Sequence, residues 1–92
     1  MYSLTTTVKN PSGIHARPAS LFVSEAKKYV SNISVKNLTR QSGPKNAKSI
    51  IMLLTLAITA GTEIEISAEG DDAKQAVDNL VGLVEAGLEE GV

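Results

Sequence analysis

The sequence predicts an α+β fold, a two-layer sandwich in which helices cover one face of a sheet and the other face meets solvent. Two features predict it. Segments with alternating apolar and polar residues, typical of strands with one buried face, take turns with segments whose apolar residues recur at helical spacing. The 92 residues contain no linker and no internal repeat, so we expect one domain over residues 1–92. The expected order is β-α-β-β-α-β-α, in an antiparallel or mixed sheet.

The first strand and the first helix have the clearest patterns. Between Tyr2 and Val8 the even-numbered residues are apolar or threonine and the odd-numbered ones are polar, which indicates a strand. The run Asn10-Pro11-Ser12-Gly13 ends it. From Ala16 to about Tyr29, apolar residues at helical spacing predict an amphipathic helix. Its apolar stripe consists of Ala19, Phe22, Val23, Ala26 and Val30.

Two short strands and a short helix are expected in the middle of the chain. Ile33 and Val35 alternate with polar residues and mark the second strand. The polar stretch from Asn37 to Gly43-Pro44 forms a turn into a weak third strand. Ser49 can cap a short helix from Ile50 to Leu54, because a serine hydroxyl accepts a hydrogen bond from the first N–H groups of a helix.

A fourth strand and a longer helix complete the order. Ile64, Ile66 and Ala68 alternate with polar neighbours, as in a strand. Asp72 and Gln75 have the spacing of a capping box, which predicts the start of the last helix. The apolar face of that helix is expected to consist of Ala73, Ala76, Val77, Leu80, Val84 and Leu88. Two glycines near its end weaken it, so we expect fraying there.

Composition argues against several classes of protein. The chain has no cysteine and one histidine, too few ligands for a zinc or iron site, so we expect no metal and no cofactor. A net charge of −1 and only three aromatic residues, two tyrosines and one phenylalanine, argue against nucleic-acid binding. The longest apolar run, from Ile50 to Ile58, is far shorter than the roughly 20 residues that cross a bilayer, and no secretory signal is visible. We therefore expect a cytoplasmic protein without membrane insertion. We also expect a monomer.

The single histidine, His15, stands at the predicted start of the first helix. A helix start is normally favoured by acidic residues, which meet the positive end of the helix dipole, yet the first charge here is Arg17. The unpaired backbone N–H groups of a first turn and a nearby guanidinium together form an anion site. Arg17 can hold two phosphoryl oxygens at once, and His15 is a nucleophile whose phosphorylated form these donors would partly stabilise.

The residues around His15 suit this interpretation. Gly13 lets the chain turn sharply, Ser12 can add a hydroxyl donor, and the fixed φ of Pro18 suits a first helical turn. Two alternatives are a loop histidine without a role and a Ser-His-Asp hydrolase. The second requires a carboxylate that orients the ring, and no motif ties one to His15.

A second candidate region begins at Ser49. From the residues alone, the simpler interpretation is an ordinary helix cap, and the alternative is a regulatory phosphorylation site that would repel acidic partners. The run from Ile50 to Leu54 is too apolar for a single buried stripe. It is either an exposed docking surface, with lysines 27, 45 and 48 at its rim, or a segment buried under the last helix.

Three motifs carry a resemblance to a known family. The run Gly13-Ile14-His15-Ala16-Arg17-Pro18-Ala19 resembles the active-site signature of HPr, the histidine-containing phosphocarriers of the bacterial phosphoenolpyruvate-dependent sugar phosphotransferase system. Lys48-Ser49-Ile50 with the apolar helix after it is similar to the family's second signature, and residues 61–64 and 67–70 are similar to its fourth strand. The resemblance implies a four-stranded antiparallel sheet with three helices on one face.

The resemblance also implies roles for residues. His15 would accept a phosphoryl group on Nδ1 from phosphorylated enzyme I and donate it to enzyme IIA domains, as a stoichiometric carrier and not an enzyme, with Arg17 assisting. Ser12, Ala16 and Pro18 would surround the phosphate. Ser49 would be a regulatory site for an HPr kinase/phosphorylase, and a transcriptional regulator is a further expected partner. The expected partner-binding residues are Ser20, Lys27, Lys45, Lys48, Ile50, Ile51 and Leu54.

Two points stay open at this stage. The turn from Asn37 to Asn46 and the tail from Ala86 to Gly91 are more similar to the carrier domains of fructose-specific systems than to compact relatives. The alternative function is a regulatory module that transfers nothing and binds a transcription factor or an enzyme through Ser49 and the segment Ile50–Leu54.

Overall fold

The computed structural model describes residues 1–88 and confirms the expected order β-α-β-β-α-β-α. The part of the predicted tail from residue 89 to residue 91 lies outside the described residues. The seven elements are β1 Tyr2–Thr7, α1 Ala16–Ala26, β2 Asn32–Asn37, β3 Ser42–Asn46, α2 Ile50–Leu54, β4 Glu63–Glu69 and α3 Ala73–Glu85.

The four strands form one antiparallel sheet in the order β1-β4-β2-β3. Helices cover one face of this sheet, so the α+β sandwich predicted from the sequence is confirmed. Because β1 and β4 run antiparallel as neighbours, Thr7 at the end of β1 pairs with Glu63 at the start of β4. The segment that leaves β1 therefore lies beside the segment that enters β4, and this juxtaposition positions the His15 loop.

The core lies between the sheet and the helices. The alternation predicted for β2 and β4 is confirmed, since their apolar residues are at most 3% exposed while their neighbours are partly or fully exposed. The helices contribute large buried side chains, namely Phe22, Leu53, Leu80 and Val84. Burial of apolar area is the main favourable term in folding, and a fully buried leucine or phenylalanine contributes about 1.5–3 kcal/mol.

The first strand lies at the edge of the sheet, and its predicted buried face is only partly formed. Thr6 and Val8 are buried, but Leu4 is 36% exposed. Polar contacts to α3 hold the strand instead, since the Tyr2 hydroxyl donates to Asp78 Oδ1 at 2.9 Å. An edge strand has a neighbour on one side only, which explains why its side chains are less covered.

The first helix is shorter than predicted. It ends at Ala26 rather than near Tyr29, and Val30, expected in its apolar stripe, is 79% exposed. The backbone N–H groups of Val30 and Ser31 donate to the Asp72 carboxylate, each at 3.0 Å, so this segment is held by α3 and not by the helix. The other four stripe residues are buried, as predicted.

The capping box predicted at Asp72 is wrong, although the helix does begin there. Asp72 is the N-cap of α3, but its side chain makes no bond to its own helix. Its carboxylate accepts the three hydrogen bonds that Val30 N and the backbone and hydroxyl of Ser31 donate. A contact between distant segments has displaced the local cap. The apolar face predicted for this helix is buried, with Leu88 just beyond its last residue.

The weak third strand is confirmed, with one correction to its start. Gly43-Pro44 lies within β3 and not in the turn before it. Proline lacks the N–H that a central strand must donate, and β3 tolerates it because β3 is an edge strand paired only with β2.

Within residues 1–88, no helix combines the length and apolarity needed to cross a membrane.

Candidate functional site

The loop between β1 and α1 rests on the loop between α2 and β4. Val8 N donates to Thr62 O at 2.9 Å, and Gly61 N donates to Val8 O at 2.6 Å, which extends the pairing of β1 and β4 beyond both strands. A tight turn follows, in which Gly13 N donates to Asn10 O at 3.0 Å. The Asn10 side chain closes the same turn a second time, since its Nδ2 donates to Gly13 O at 2.7 Å.

Gly13 fits its position for two reasons. Its φ of +63° is in the left-handed region that favours glycine. A Cβ atom at this position would lie 2.4 Å from Ile58 O and 2.7 Å from Thr59 Cα, closer than such atoms approach in proteins. Beside it, Ile14 is 2% exposed and donates its N–H to Ile58 O at 3.0 Å. The chain is therefore fixed immediately before His15.

His15 is the N-cap residue of α1, as the sequence predicts. Its backbone is extended, its side chain makes no capping bond, and the residue is exposed. Ala16, the first helical residue, has a φ of +44°, which is unusual for a residue with a side chain. The exposed imidazole thus stands at the helix boundary without a structural task that would occupy it.

The first turn of α1 presents the groups for which we expect anion binding from the sequence. It contains no acidic residue, and Arg17 is exposed. By helix geometry, the N–H groups of Ala16 and Arg17 have no intrahelical partner, and the positive end of the helix dipole lies beside them. Pro18, buried in the same turn, has no N–H and fixes the backbone. Ser12 is exposed on the preceding turn. These groups suit a transient anion bound to His15.

Ser49 is the N-cap of α2, which confirms the cap predicted for it. Its hydroxyl accepts a hydrogen bond from Met52 N at 3.3 Å, and the residue is half-buried. The neighbouring Lys48 reaches across to the loop between α1 and β2, where its Nζ donates to Tyr29 O at 2.6 Å. Lys48 therefore ties the segment before α2 to the α1–β2 loop, a contact that the sequence does not predict for it.

Four residues of α2 form an exposed apolar patch. Ile51 is 75% exposed, three others are between 36% and 40% exposed, and only Leu53 is buried. Burial under the last helix, the alternative interpretation, is wrong for these four. We call this group the α2 patch: Ile50, Ile51, Met52 and Leu54. Met52 lies within the predicted run from Ile50 to Leu54 but is not among the expected partner-binding residues.

The α2 patch lies in the same region as His15. The segment that follows α2 leads directly to Ile58, whose carbonyl accepts the Ile14 N–H one residue before His15. Helices α1 and α2 also contact each other. Of the other predicted partner-binding residues, Ser20 and Lys27 are exposed on α1, and Lys45 is half-buried in β3. The segment between α2 and β4 therefore links the patch to the loop that precedes His15.

A polar network ties the far end of α1 to α3. The Tyr29 hydroxyl donates to Glu25 Oε2 at 2.7 Å and accepts from Asn79 Nδ2 at 2.6 Å. The hydrogen bond from the Tyr29 hydroxyl lowers the pKa of Glu25 most, and the bond from Lys28 Nζ at 3.0 Å lowers it further.

In the described part of the chain, no three His, Asp or Glu side chains come together as metal ligands would.

Comparison with known proteins gives consistent results. The family model described as "PTS HPr component phosphorylation site" matches residues 2–86. The phosphocarrier protein HPr of Haemophilus influenzae is 45% identical over 84 residues, which cover 91% of this chain and 95% of that protein. The multiphosphoryl transfer protein of the same organism is 43% identical over 88 residues, and the chain spans only 18% of its length.

A solved structure resembles the whole chain. The crystal structure of HPr-C-His from Thermoanaerobacter tengcongensis superposes with a TM-score of 0.92 at 40% sequence identity, and the alignment covers 100% of both chains. Because the alignment covers the full length, it includes the His15 segment and the α2 patch.

Proposed function

The chain belongs to the HPr family of phosphotransferase-system components, and we propose from this premise that His15 is the residue on which it carries a phosphoryl group. The donor is phosphorylated enzyme I, and the acceptors are enzyme IIA domains of the sugar-specific branch that the protein serves. One observation supports the assignment most strongly. The chain's only histidine is exposed at the start of α1, where Arg17 and free helix N–H groups stand in place of acidic residues.

The transfer chemistry requires an accessible ring nitrogen. The lone pair of His15 Nδ1 attacks the phosphorus of the donor's phosphohistidine, and a new N–P bond forms as the donor's N–P bond breaks, with its electron pair returning to the donor ring. The acceptor histidine of enzyme IIA attacks in the same way in the second step. Arg17 and the N–H groups of the first turn balance the charge of the phosphoryl oxygens in both steps.

Exposure of the site supports a carrier role. On the side that faces the helix, a phosphoryl group at His15 would meet donors from Ala16 and Arg17, flanked by Ser12 and Pro18. On the side that faces solvent, a partner's histidine could approach it freely. Such a site stabilises the group only in part, which keeps onward transfer favourable. The chain works stoichiometrically, because the phosphorylated form is itself the product of one step and the substrate of the next.

We infer that the α2 patch, together with the exposed residues Ser20 and Lys27, is the surface that both donor and acceptor cover. An apolar centre with a polar and charged rim is typical of transient interfaces. Because His15 must face each partner in turn, the same surface has to accommodate both, and the two complexes exclude each other. Such successive binding suits a monomeric carrier in the cytoplasm.

Ser49 supports a regulatory proposal beside the carrier role. The residue is half-exposed and adjoins the α2 patch. A phosphate on its hydroxyl would place negative charge next to that surface and would repel an acidic partner. An HPr kinase/phosphorylase is the expected modifying enzyme, and a transcriptional regulator that reads the modified surface is a further proposed partner.

Reconstituted transfer tests the proposed function. We expect the protein to acquire one acid-labile phosphoryl group from radiolabelled phosphoenolpyruvate in the presence of enzyme I, and to lose it when an enzyme IIA domain is added. Label that is stable in acid, or label that no enzyme IIA domain removes, would contradict a carrier role. A protein that binds enzyme I but takes no label would support the regulatory module instead.

A further inference from the structure

We propose that Asn10 is a positioning residue for phosphoryl transfer at His15. The inference rests on the proposed function and deepens it, because it assigns the orientation of the reactive ring to a residue outside the signature motif. Asn10 is fully buried, at 0% exposure, in the turn that precedes the site.

The argument begins with one peptide group, the one that joins Gly13 to Ile14. Its carbonyl oxygen, Gly13 O, accepts from Asn10 Nδ2 at 2.7 Å. Its N–H, on Ile14, donates to Ile58 O at 3.0 Å. Both polar ends of this peptide plane are therefore held, one by the Asn10 side chain and one by the α2–β4 loop.

This peptide plane needs to be held because of the residue before it. Gly13 has no side chain and adopts left-handed and right-handed conformations with similar ease, so the plane that follows it can rotate. Rotation of the plane would change the direction of the chain at Ile14 and displace His15. The bond to Ile58 restrains the N–H edge of this rigid plane and the bond from Asn10 restrains its carbonyl edge, so a rotation of the plane has to break both bonds.

An asparagine suits this task for chemical reasons. Two bonds close the turn: the Gly13 N–H donates to Asn10 O at 3.0 Å, and Asn10 Nδ2 donates to Gly13 O at 2.7 Å. An alanine would lack the donor. An aspartate would have the same size but would present a carboxylate oxygen to the Gly13 carbonyl, which repels it.

The position of His15 affects the rate of transfer more than the affinity for partners. In-line attack requires the ring nitrogen to be correctly aimed, and a displacement of about 1 Å can lower the rate of a reaction by about a hundredfold. The α2 patch lies on a different element and does not depend on Asn10. Loss of the Asn10 bond should therefore lower kcat and leave KM for the protein nearly unchanged.

The experiment compares three variants of the full chain as substrates of enzyme I. Asn10→Ala and Asn10→Asp remove the donor, the second at constant size. Asn37→Ala is the matched control, because Asn37 is also 0% exposed and its Nδ2 donates to a backbone carbonyl, Leu56 O, at 2.8 Å. We expect kcat to fall about tenfold for both Asn10 variants, with KM within about twofold, and kcat of Asn37→Ala to stay within about twofold.

A second measurement keeps the test independent of transfer. Amide hydrogen exchange at Ile14 should accelerate in both Asn10 variants and not in Asn37→Ala, since only the former release the peptide plane. All rates are referred to the folded fraction measured by circular dichroism. Unchanged kcat with folded Asn10 variants, or an equal fall of kcat in Asn37→Ala, overturns the inference. A wild-type protein that accepts no phosphoryl group overturns the proposed function instead, whatever the exchange at Ile14 shows.

Discussion

His15 occupies a helix start that lacks the usual stabilising groups. Its side chain makes no cap, Ala16 has a left-handed backbone, and the first turn contains no acidic residue. A missing cap costs a helix about 1 kcal/mol, and a left-handed alanine costs about 1–2 kcal/mol. A phosphoryl group on His15 would bring the negative charge that this helix start lacks.

Arg17 provides the first test at the scale of a residue. Arg17→Ala should lower the rate of phosphorylation by enzyme I about tenfold to a hundredfold, because the variant loses a charged, two-pronged donor to the phosphoryl oxygens. Arg17→Lys keeps the charge and should recover part of the rate. Thermal unfolding should barely change, since Arg17 is exposed. Equal rates for wild type and Arg17→Ala would remove Arg17 from the site.

Gly13 provides the second residue-scale test. Gly13→Ala should lower the free energy of unfolding by more than about 2 kcal/mol, because the variant combines left-handed backbone strain with a steric clash between the new Cβ atom and Ile58 O. Gly61→Ala is the matched control. Gly61 also has a positive φ, +89°, but a Cβ there would meet nothing within 4 Å, so backbone strain alone should cost about 1–2 kcal/mol. Urea denaturation measures both, and equal losses would refute the steric account.

The sequence points to His15, Arg17 and Gly13 because their residue types depart from ordinary helix starts. It does not reveal Asn10 or the strain at Ala16. The Asn10 amide bonds within its own turn, to Gly13 O, but the flanking residues Val8 and Ile14 bond to the α2–β4 loop, far along the chain. No local pattern indicates which loop will lie against this turn. An asparagine before proline is a common turn signal, and its burial is visible only in the fold.

The α2 patch is the proposed docking feature at the scale of an element. Its run of apolar residues is visible in the sequence, but exposure depends on which neighbour covers the helix. The structure places α1 and β3 against α2, and four of its five side chains remain exposed. A helix of five residues buries one side chain and presents the others.

A neutral substitution in the α2 patch tests its role in docking. Ile51→Ser should raise the KM of enzyme I for the protein about tenfold, because truncation of an apolar anchor typically lowers the binding free energy of an interface by about 1–2 kcal/mol. Val30→Ser is the matched control, since Val30 is similarly exposed, at 79%, but lies in the loop between α1 and β2, outside the α2 patch. Both variants should remain as stable as wild type. Similar KM values for the two variants would argue against docking through α2.

Errors in the predicted elements have one common cause. The prediction fails at Val30 and at the cap of α3 because both depend on the Asp72 carboxylate, which bonds to the α1–β2 loop and not to its own helix. Local patterns describe the period of an element well. They do not describe bonds between distant segments, and these decide where α1 ends and how α3 begins.

At the scale of the whole molecule, strand order creates the site. The pattern of alternation predicts four strands but not that β4 lies between β1 and β2. This order places the exit of β1 against the entry to β4, so that the His15 loop rests on the segment that follows α2. The site is therefore a product of topology, assembled from two motifs that the sequence keeps apart.

The bonds of Asp72 join distant parts of the fold and make stability depend on pH. The Ser31 hydroxyl, followed by the backbone N–H groups of Val30 and Ser31, lowers the pKa of Asp72. A carboxylate with a lowered folded pKa stabilises the fold above its unfolded pKa, and this contribution is lost as pH falls through the folded pKa. Asp72→Ala should therefore lower Tm at neutral pH, and the difference from wild type should shrink in acid.

Asp71→Ala is the control for Asp72, since Asp71 is the exposed neighbouring carboxylate. It should leave Tm close to the wild-type value at neutral pH. Thermal unfolding followed by circular dichroism from neutral to acidic pH measures all three proteins. A difference between wild type and Asp72→Ala that stays constant over this range would contradict the linkage to ionisation.

The central claim is that His15 carries the phosphoryl group, and intact-protein mass spectrometry tests it most directly. Wild type and His15→Ala are each incubated with enzyme I and phosphoenolpyruvate, under neutral conditions that preserve phosphohistidine. We predict that wild type gains the mass of one phosphoryl group, that acid removes it, and that His15→Ala, folded as judged by circular dichroism, gains none. A phosphoryl group on His15→Ala, or none on wild type, would contradict the account.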